Sequence, residues 1–101
     1  MNAMKLPQGF DFQGAIPLWQ VDASGQKISR EFVFEDFEQA FAFMTLSAQY
    51  AEKINHHPDW SNSWNRVMVE LSTHSAKALT HLDVQMAQAM DQFACNIQSK
   101  D

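Results

Sequence analysis

Three of the four histidines in this 101-residue chain are candidates for proton transfer. His56 and His57 are adjacent, and His74 follows later in the chain. Because the unperturbed pKa of histidine lies close to neutral pH, several imidazoles around one pocket provide both an acid and a base without a metal ion. Glu52 and Asp83 are acidic residues that could orient these rings. We therefore predict a catalytic site that contains His56, His57 and His74.

Other residues favour a flat substrate. Indoles that could stack on such a ring occur at Trp19, Trp60 and Trp64. The backbone of residues 72–75 follows a predicted strand, so its N–H and C=O groups are free to bind the polar edge of a heterocycle. Trp60 and Trp64 could equally be core residues or anchors of a subunit interface. The sequence thus predicts a heterocyclic substrate and leaves the role of these two indoles open.

A zinc site is the alternative interpretation of the same residues. Adjacent histidines, a distant third and a carboxylate are all possible zinc ligands. Neighbouring residues at a helix end diverge, however, and the sequence has neither a His-x-x-x-His motif nor a pair of cysteines. Cys95, the only cysteine, is expected to be a small buried residue of a helix. We therefore expect no metal.

Composition narrows the class of protein. Hydrophobic residues make up 46% of the chain and charged residues 19%, which is typical of a folded domain, and the length predicts a single domain over residues 1–101. The net charge is −5 and the seven Lys and Arg residues are scattered, which disfavours binding to nucleic acid. Residues 1–9 lack a signal-peptide pattern, and no apolar run is long enough to span a bilayer. We expect a cytoplasmic protein that does not bind membranes.

The first half of the chain predicts a hairpin and a helix. Strands are predicted over residues 18–21 and 27–35, joined by a turn in which Gly25 supplies a positive φ. Asp36 begins a helix, with Gln39 completing a capping box, and Pro58 ends the helix near His57. Its predicted buried stripe is Phe37, Ala40, Phe41, Met44, Ala48 and Ala51.

The same helix predicts how one histidine is oriented. If it extends to the proline, Glu52 and His56 are four residues apart and are neighbours on one face. The Glu52 carboxylate is then expected to orient the His56 ring.

The second half predicts two strands and a helix. Residues 66–72 alternate apolar and polar and predict a strand, and a short strand over residues 59–64 before them is left open. Thr80 begins the last helix, and Asp83 is at the capping-box position, which explains this residue as well as a functional role does. The predicted buried stripe is Leu82, Met86, Met90, Phe93 and Ile97, followed by a polar tail over residues 99–101. His81 is expected to face solvent.

This order of elements predicts an α+β fold in which helices pack on one face of an antiparallel sheet. Val33 and Met68 lie on the other side of their strands. Because that face and the sheet edges lack a partner, we expect a second subunit to cover one of them.

The chain resembles the pterin-4a-carbinolamine dehydratase family. The family signature is an acidic residue, His-His-Pro, an aromatic residue, a further His and an Asp at set spacings. Every spacing is met here, and the flanking segments 32–37, 40–44 and 71–74 are similar too. The matching positions are Glu52, His56-His57-Pro58, Trp64, His74 and Asp83.

The resemblance implies a four-stranded antiparallel sheet with three helices, and a homodimer or homotetramer. It also implies dehydration of 4a-hydroxytetrahydropterin to quinonoid dihydropterin, a step of tetrahydrobiopterin recycling, without a metal or an organic cofactor. The implied catalytic residues are His56, His57 and His74, with His57 favoured as the acid. The implied substrate-binding residues are Trp19, Glu52, Asn55, Ser72, Thr73, Ser75 and Asp83.

Two further points qualify the resemblance. Some members of the family bind a homeodomain transcription factor, so a protein-binding module with little catalysis is the alternative function. Residues 1–18 match the family's first helix poorly. In the loop after His74, Ala78 stands where a glycine is usual, and Lys77 precedes it. These departures concern an oligomer contact and the shape of the loop after His74.

Overall fold

The computed structural model describes residues 5–99, and it has an α+β fold in which a four-stranded antiparallel sheet carries three helices. The strand order is β1-β2-β4-β3. The predicted fold class is therefore confirmed. Lys100 and Asp101 of the predicted polar tail lie outside the described residues. The elements are α1 (Phe12–Ala15), β1 (Gln20–Val21), β2 (Ile28–Val33), α2 (Phe37–Ile54), β3 (Asp59–Ser63), β4 (Arg66–Leu71) and α3 (His81–Gln98).

The predicted hairpin is formed by β1 and β2, both shorter than expected. Gly25 has a φ of +74° in the turn. The Asp22 carboxylate accepts hydrogen bonds from the Ser24 hydroxyl at 2.5 Å and the Ser24 N–H at 3.1 Å. These bonds, with a smaller contribution from Lys27, lower the pKa of Asp22 below its ordinary value of 3.8. The turn is thus stabilised by the ionised form of an exposed carboxylate.

Helix α2 begins where predicted and ends earlier. The Asp36 carboxylate accepts from the Gln39 N–H at 2.9 Å, but the Gln39 amide oxygen accepts from Glu35 N, one residue before the predicted capping-box donor. Asn55 takes the left-handed conformation, with a φ of +53°, and ends the helix after Ile54. The helix therefore stops short of the two adjacent histidines.

The buried stripe of α2 differs from the predicted one. The prediction was right for Ala40 and Ala51, and wrong for Phe37 and Phe41, which are 46% and 54% exposed. Phe43 is buried instead, with its ring centroid 4.5 Å from that of Phe32 on the sheet. Because α2 is apolar on more than one face, the spacing alone does not decide which face packs inward. The buried residues of α2 are Ala40, Phe43, Ser47 and Ala51.

Strand β4 alternates as predicted, and α3 packs behind it. Val67, Val69 and Leu71 are buried, whereas the intervening side chains are exposed. The predicted capping box between Thr80 and Asp83 is present at the start of α3. Cys95 was expected to be buried and is exposed, because α3 buries a different set of positions. The buried residues of α3 are Asp83, Val84, Met86, Ala87, Met90 and Ala94.

The two faces of the sheet differ in chemistry. The open face exposes Val33 and Met68, as predicted, and carries an ion pair between Arg66 and Glu31 at 3.3 Å.

Within residues 5–99, none of the helices is both long and apolar enough to cross a membrane.

Candidate active site

Sheet register brings the three predicted histidines together. Asp59 of β3 pairs with Glu70 of β4, and the strands are antiparallel. The residues before Asp59 and those after Leu71 therefore meet at one end of the sheet. A cavity with a volume of about 330 Å³ lies there. It is lined by Asn55, His56, His57, Pro58, Asp59, Ser72, Thr73, His74 and Ser75.

His56 is held by a buried carboxylate. Its Nε2 lies 2.6 Å from Asp83 Oδ1, and the exposed fractions of the two side chains are 10% and 0%. The other oxygen of Asp83 accepts from the Thr73 hydroxyl at 2.8 Å and from the Thr80 N–H at 2.9 Å. Asp83 does not line the cavity and contacts His56 from the interior of the protein. The same carboxylate thus caps α3 and contacts His56.

His57 is held by an exposed carboxylate. Its Nε2 lies 2.6 Å from Glu52 Oε2, with side-chain exposures of 53% and 78%. The prediction that Glu52 orients His56 was therefore wrong. Because Asn55 turns the chain out of α2 before the histidines, the helical i,i+4 relation of Glu52 and His56 is lost. Glu52 orients the next histidine instead.

His74 is the most exposed of the three. It is 80% exposed, and its Nε2 lies 3.8 Å from Asp59 Oδ2, too far for a hydrogen bond. The loop that carries it is closed by a bridge between Thr73 and Ala78, and Lys77 adopts a positive φ of 52°. The loop after His74 thus forms with Lys77 and Ala78, the two positions at which it departs from the family pattern.

The predicted indoles lie away from this cavity. Trp19 is buried in the core, where its Nε1 donates to Asp91 Oδ1 at 2.8 Å. Trp60 packs against the core, and Trp64 is 63% exposed in the β3–β4 turn, at the far end of β3 from the histidines. None of the three lines the cavity. Within residues 5–99 of a single copy, none of the three indoles is therefore placed to stack on a substrate in the cavity.

Three residues of this region were missed in the sequence. Asp59 lines the cavity beside His74, and its position directly after His-His-Pro is the signal that could have identified it. Thr80 was assigned only a capping role, but it contributes to the bonds around Asp83. Lys27 lines an adjoining cavity of about 360 Å³ that shares His74 with the first one, and nothing in its local sequence indicates this.

The carboxylates that lie near the three imidazoles bear on the zinc interpretation. Each of the three imidazoles faces a different carboxylate. Among residues 5–99, no group of three His, Cys, Asp or Glu side chains is placed to hold one ion. The zinc interpretation therefore has no support from the geometry.

Comparisons with known proteins agree on one family. The sequence profile described as Pterin 4 alpha carbinolamine dehydratase matches residues 7–93. A protein of Rhizorhabdus wittichii, named provisionally as a pterin-4-alpha-carbinolamine dehydratase, is 54% identical over 84 residues, which cover 83% of this chain and 87% of the relative. A provisionally named dehydratase of Bordetella avium is 51% identical over 81 residues, which cover 80% of this chain and 75% of the relative.

Two solved structures resemble the chain. A crystal structure titled as a transcriptional coactivator/pterin dehydratase from Brucella melitensis has 41% identity and a TM-score of 0.81. The match covers 90% of this chain and 99% of that one. A pterin dehydratase-like protein described as a RuBisCO assembly factor has a TM-score of 0.68 at 20% identity, over 79% of this chain and 93% of its own. The second likeness shows the fold alone.

Proposed function

The chain belongs to the pterin-4a-carbinolamine dehydratase family, and on this basis we propose that it converts 4a-hydroxytetrahydropterin to quinonoid dihydropterin and water. The step would belong to tetrahydrobiopterin recycling. The observation that carries the proposal is the convergence of His56, His57 and His74 on one cavity of about 330 Å³.

The reaction needs one proton donor and one proton acceptor. The hydroxyl on C4a leaves as water after it is protonated, and the proton on N5 is removed as the C4a–N5 double bond forms. Two imidazoles that line one cavity meet both needs. No metal ion or organic cofactor enters this scheme.

We assign the acid to His57 and the base to His56. His57 is half-exposed and can exchange protons with water between turnovers, while Glu52 at 2.6 Å fixes the orientation of its ring. His56 lines the cavity with its Nε2 occupied by Asp83, so Nδ1 remains to accept the N5 proton. His74 is assigned to binding of the ring.

The remaining predicted site residues divide into two groups. Asn55, Ser72 and Ser75 line the cavity and are proposed to contact the substrate. Asp83 and the Thr73 hydroxyl face the interior and are proposed to orient His56.

Stopped-flow decay of chemically generated 4a-carbinolamine tests the proposal. His56→Ala, His57→Ala and His74→Ala should remain folded, and loss of the acid or the base should lower the rate by about 10²–10⁴-fold. His81→Ala is the matched control, because His81 is exposed at the start of α3 and does not line the cavity. Three unchanged rates, or a wild type without turnover, would refute the proposal.

We also propose that the protein is a homodimer or homotetramer. β1 pairs only with Ile28 and Ser29, so the outer edge of β2 from Arg30 to Val33 has no strand partner among residues 5–99. Phe37 and Phe41 form an exposed aromatic pair on α2 with ring centroids 5.6 Å apart. Both features favour self-association. A monomeric mass in light scattering at micromolar concentration would contradict it. The cytoplasmic location stays a prediction from sequence.

A protein-binding role is the second candidate function. The Brucella melitensis relative has a title that joins a coactivator to a pterin dehydratase. The exposed Phe37–Phe41 pair on α2 gives such a partner an apolar surface away from the cavity. A pulldown with the variant in which all three cavity histidines are alanine separates the two roles. A partner that is retained, together with a wild type that shows no turnover, would favour binding over catalysis.

A further inference from the structure

A closed set of hydrogen bonds lies behind the cavity wall. Thr73 and Thr80 are 6% and 0% exposed, and their hydroxyl oxygens are 2.7 Å apart. The Thr73 hydroxyl also lies 2.8 Å from Asp83 Oδ2, and Leu82 N–H donates to the Thr80 hydroxyl oxygen at 3.2 Å. Thr73 is thus the link between the wall that carries His74 and the carboxylate that holds His56.

The direction of these bonds follows from the groups involved. An ionised carboxylate only accepts, so the single hydroxyl hydrogen of Thr73 is donated to Asp83. Because the Thr73 hydrogen is used in that bond, the Thr73 oxygen can only accept from Thr80, so the Thr80 hydroxyl donates to Thr73. The bonds run in one direction, from Leu82 N–H through Thr80 and Thr73 to Asp83.

This direction decides which oxygen of Asp83 interacts with the histidine. Oδ2 accepts two hydrogen bonds, from Thr73 and from the Thr80 N–H. Oδ1 is left for His56, at 2.6 Å from Nε2. An ionised carboxylate with three hydrogen-bond partners in a buried site is fixed in rotation and can only accept from each of them. His56 then carries its hydrogen on Nε2 and presents Nδ1 for reaction.

We propose that Thr73 is a positioning residue, whose hydroxyl fixes Asp83 so that neutral His56 is held in the Nε2–H tautomer with Nδ1 available in the cavity. Thr80 fixes Thr73 in turn. The proposal replaces the expected contact of Thr73 with substrate by an action through Asp83. It rests on the proposed function only for its kinetic consequence; the tautomer itself is measurable without turnover.

Thr73→Val is the variant that removes the hydroxyl and keeps the shape of the side chain. We expect kcat to fall about tenfold, as for loss of one hydrogen bond to a buried charge, with KM within about twofold. The pH profile of kcat should also differ from that of the wild type, because the Asp83 carboxylate that contacts His56 loses one of its hydrogen-bond donors. Thr73→Ser keeps the hydroxyl and should restore both values.

Thr45→Val is the matched control. Thr45 is an exposed residue of α2 whose hydroxyl donates only to Phe41 O of the same helix, at 2.9 Å. It should behave as the wild type in rate and in pH profile. A Thr73→Val variant that matches the Thr45→Val variant in both would overturn the proposal.

Two-bond ¹H–¹⁵N correlation spectra of histidine-labelled protein decide the structural half independently. At a pH at which His56 is neutral, we expect the Nε2–H tautomer in the wild type, and a mixture with the Nδ1–H tautomer in Thr73→Val. An Nδ1–H tautomer in the wild type, or no change in Thr73→Val, would overturn the proposal. If the wild type does not dehydrate the carbinolamine at all, the proposed function fails, and these spectra still decide the role of Thr73.

Discussion

The two halves of the cavity hold a histidine by the same contact in opposite surroundings. His56–Asp83 and His57–Glu52 both have a nitrogen-to-oxygen distance of 2.6 Å. Asp83 is fully buried and has three hydrogen-bond partners, which are His56, the Thr73 hydroxyl and the Thr80 N–H. The Glu52 side chain is 78% exposed and contacts His57. Removing a buried partner leaves a desolvated group unpaired, but an exposed group is rehydrated by water. Distance alone therefore does not measure what a pair contributes.

The largest effect is expected for Asp83→Asn. The amide keeps the shape but cannot accept from all three donors, so His56 loses its fixed tautomer. We expect kcat to fall by about 10² or more, as in sites where an Asp→Asn change leaves the wrong histidine tautomer. The free energy of unfolding should fall by about 2–4 kcal/mol in urea titration. A stable variant with normal turnover would remove the basis of the comparison.

Glu52→Gln tests the exposed half. The glutamine still offers an oxygen to His57, and water compensates for the lost charge. We expect kcat within about fivefold of the wild type and a loss of less than about 0.5 kcal/mol in the same titration. A fall as large as that of Asp83→Asn would mean that burial does not set the difference.

Salt separates the two halves further. At about 1 M salt the screening length falls to about 3 Å, and salt weakens an exposed pair more than a buried one. The difference in kcat between the wild type and Glu52→Gln should shrink at this salt concentration, while the difference for Asp83→Asn persists. If salt changed the two differences in kcat equally, the assignment of one pair as buried and the other as exposed would be contradicted.

The smallest effect is expected at a carboxylate outside the cavity. The pKa of Asp22 is lowered chiefly by the Ser24 hydroxyl, so its ionised form stabilises the hairpin turn at pH values above its ordinary value of 3.8. This stabilisation is lost as the pH falls through the lowered pKa. The stability difference between Ser24→Ala and the wild type should therefore be small at pH 7 and vanish below that window in thermal melts. A difference that grows on acidification would reverse the sign.

Local sequence signals predicted where the turn and the helices begin. They did not predict which side chains are buried, because burial depends on packing against elements that are distant in the sequence. Gly25, Asp36 and Thr80 mark their turn and caps through their own backbone, so these boundaries were predictable. Phe41 and Cys95 were assigned to the interior because their spacing allows it, yet the sheet and the facing helix select other positions. A helix that is apolar on two faces does not encode which one is covered.

The candidate site was likewise predictable only in part. The spacing of the His-His-Pro segment and His74 predicted which imidazoles meet, and the β3–β4 register brings them to one cavity. The partner of each ring was not predictable, because the left-handed Asn55 shifts Glu52 from His56 to His57. Asp83 was visible as a cap, but its contact with His56 spans 27 residues.

The most direct test of the central claim is the single-turnover decay of 4a-carbinolamine, followed by stopped-flow absorbance with and without a chelator. The wild type should accelerate the decay equally in both conditions, and the variant in which His56, His57 and His74 are all alanine should match the uncatalysed rate. A triple variant that retains the wild-type rate, or a wild type inactivated by the chelator, would contradict the account.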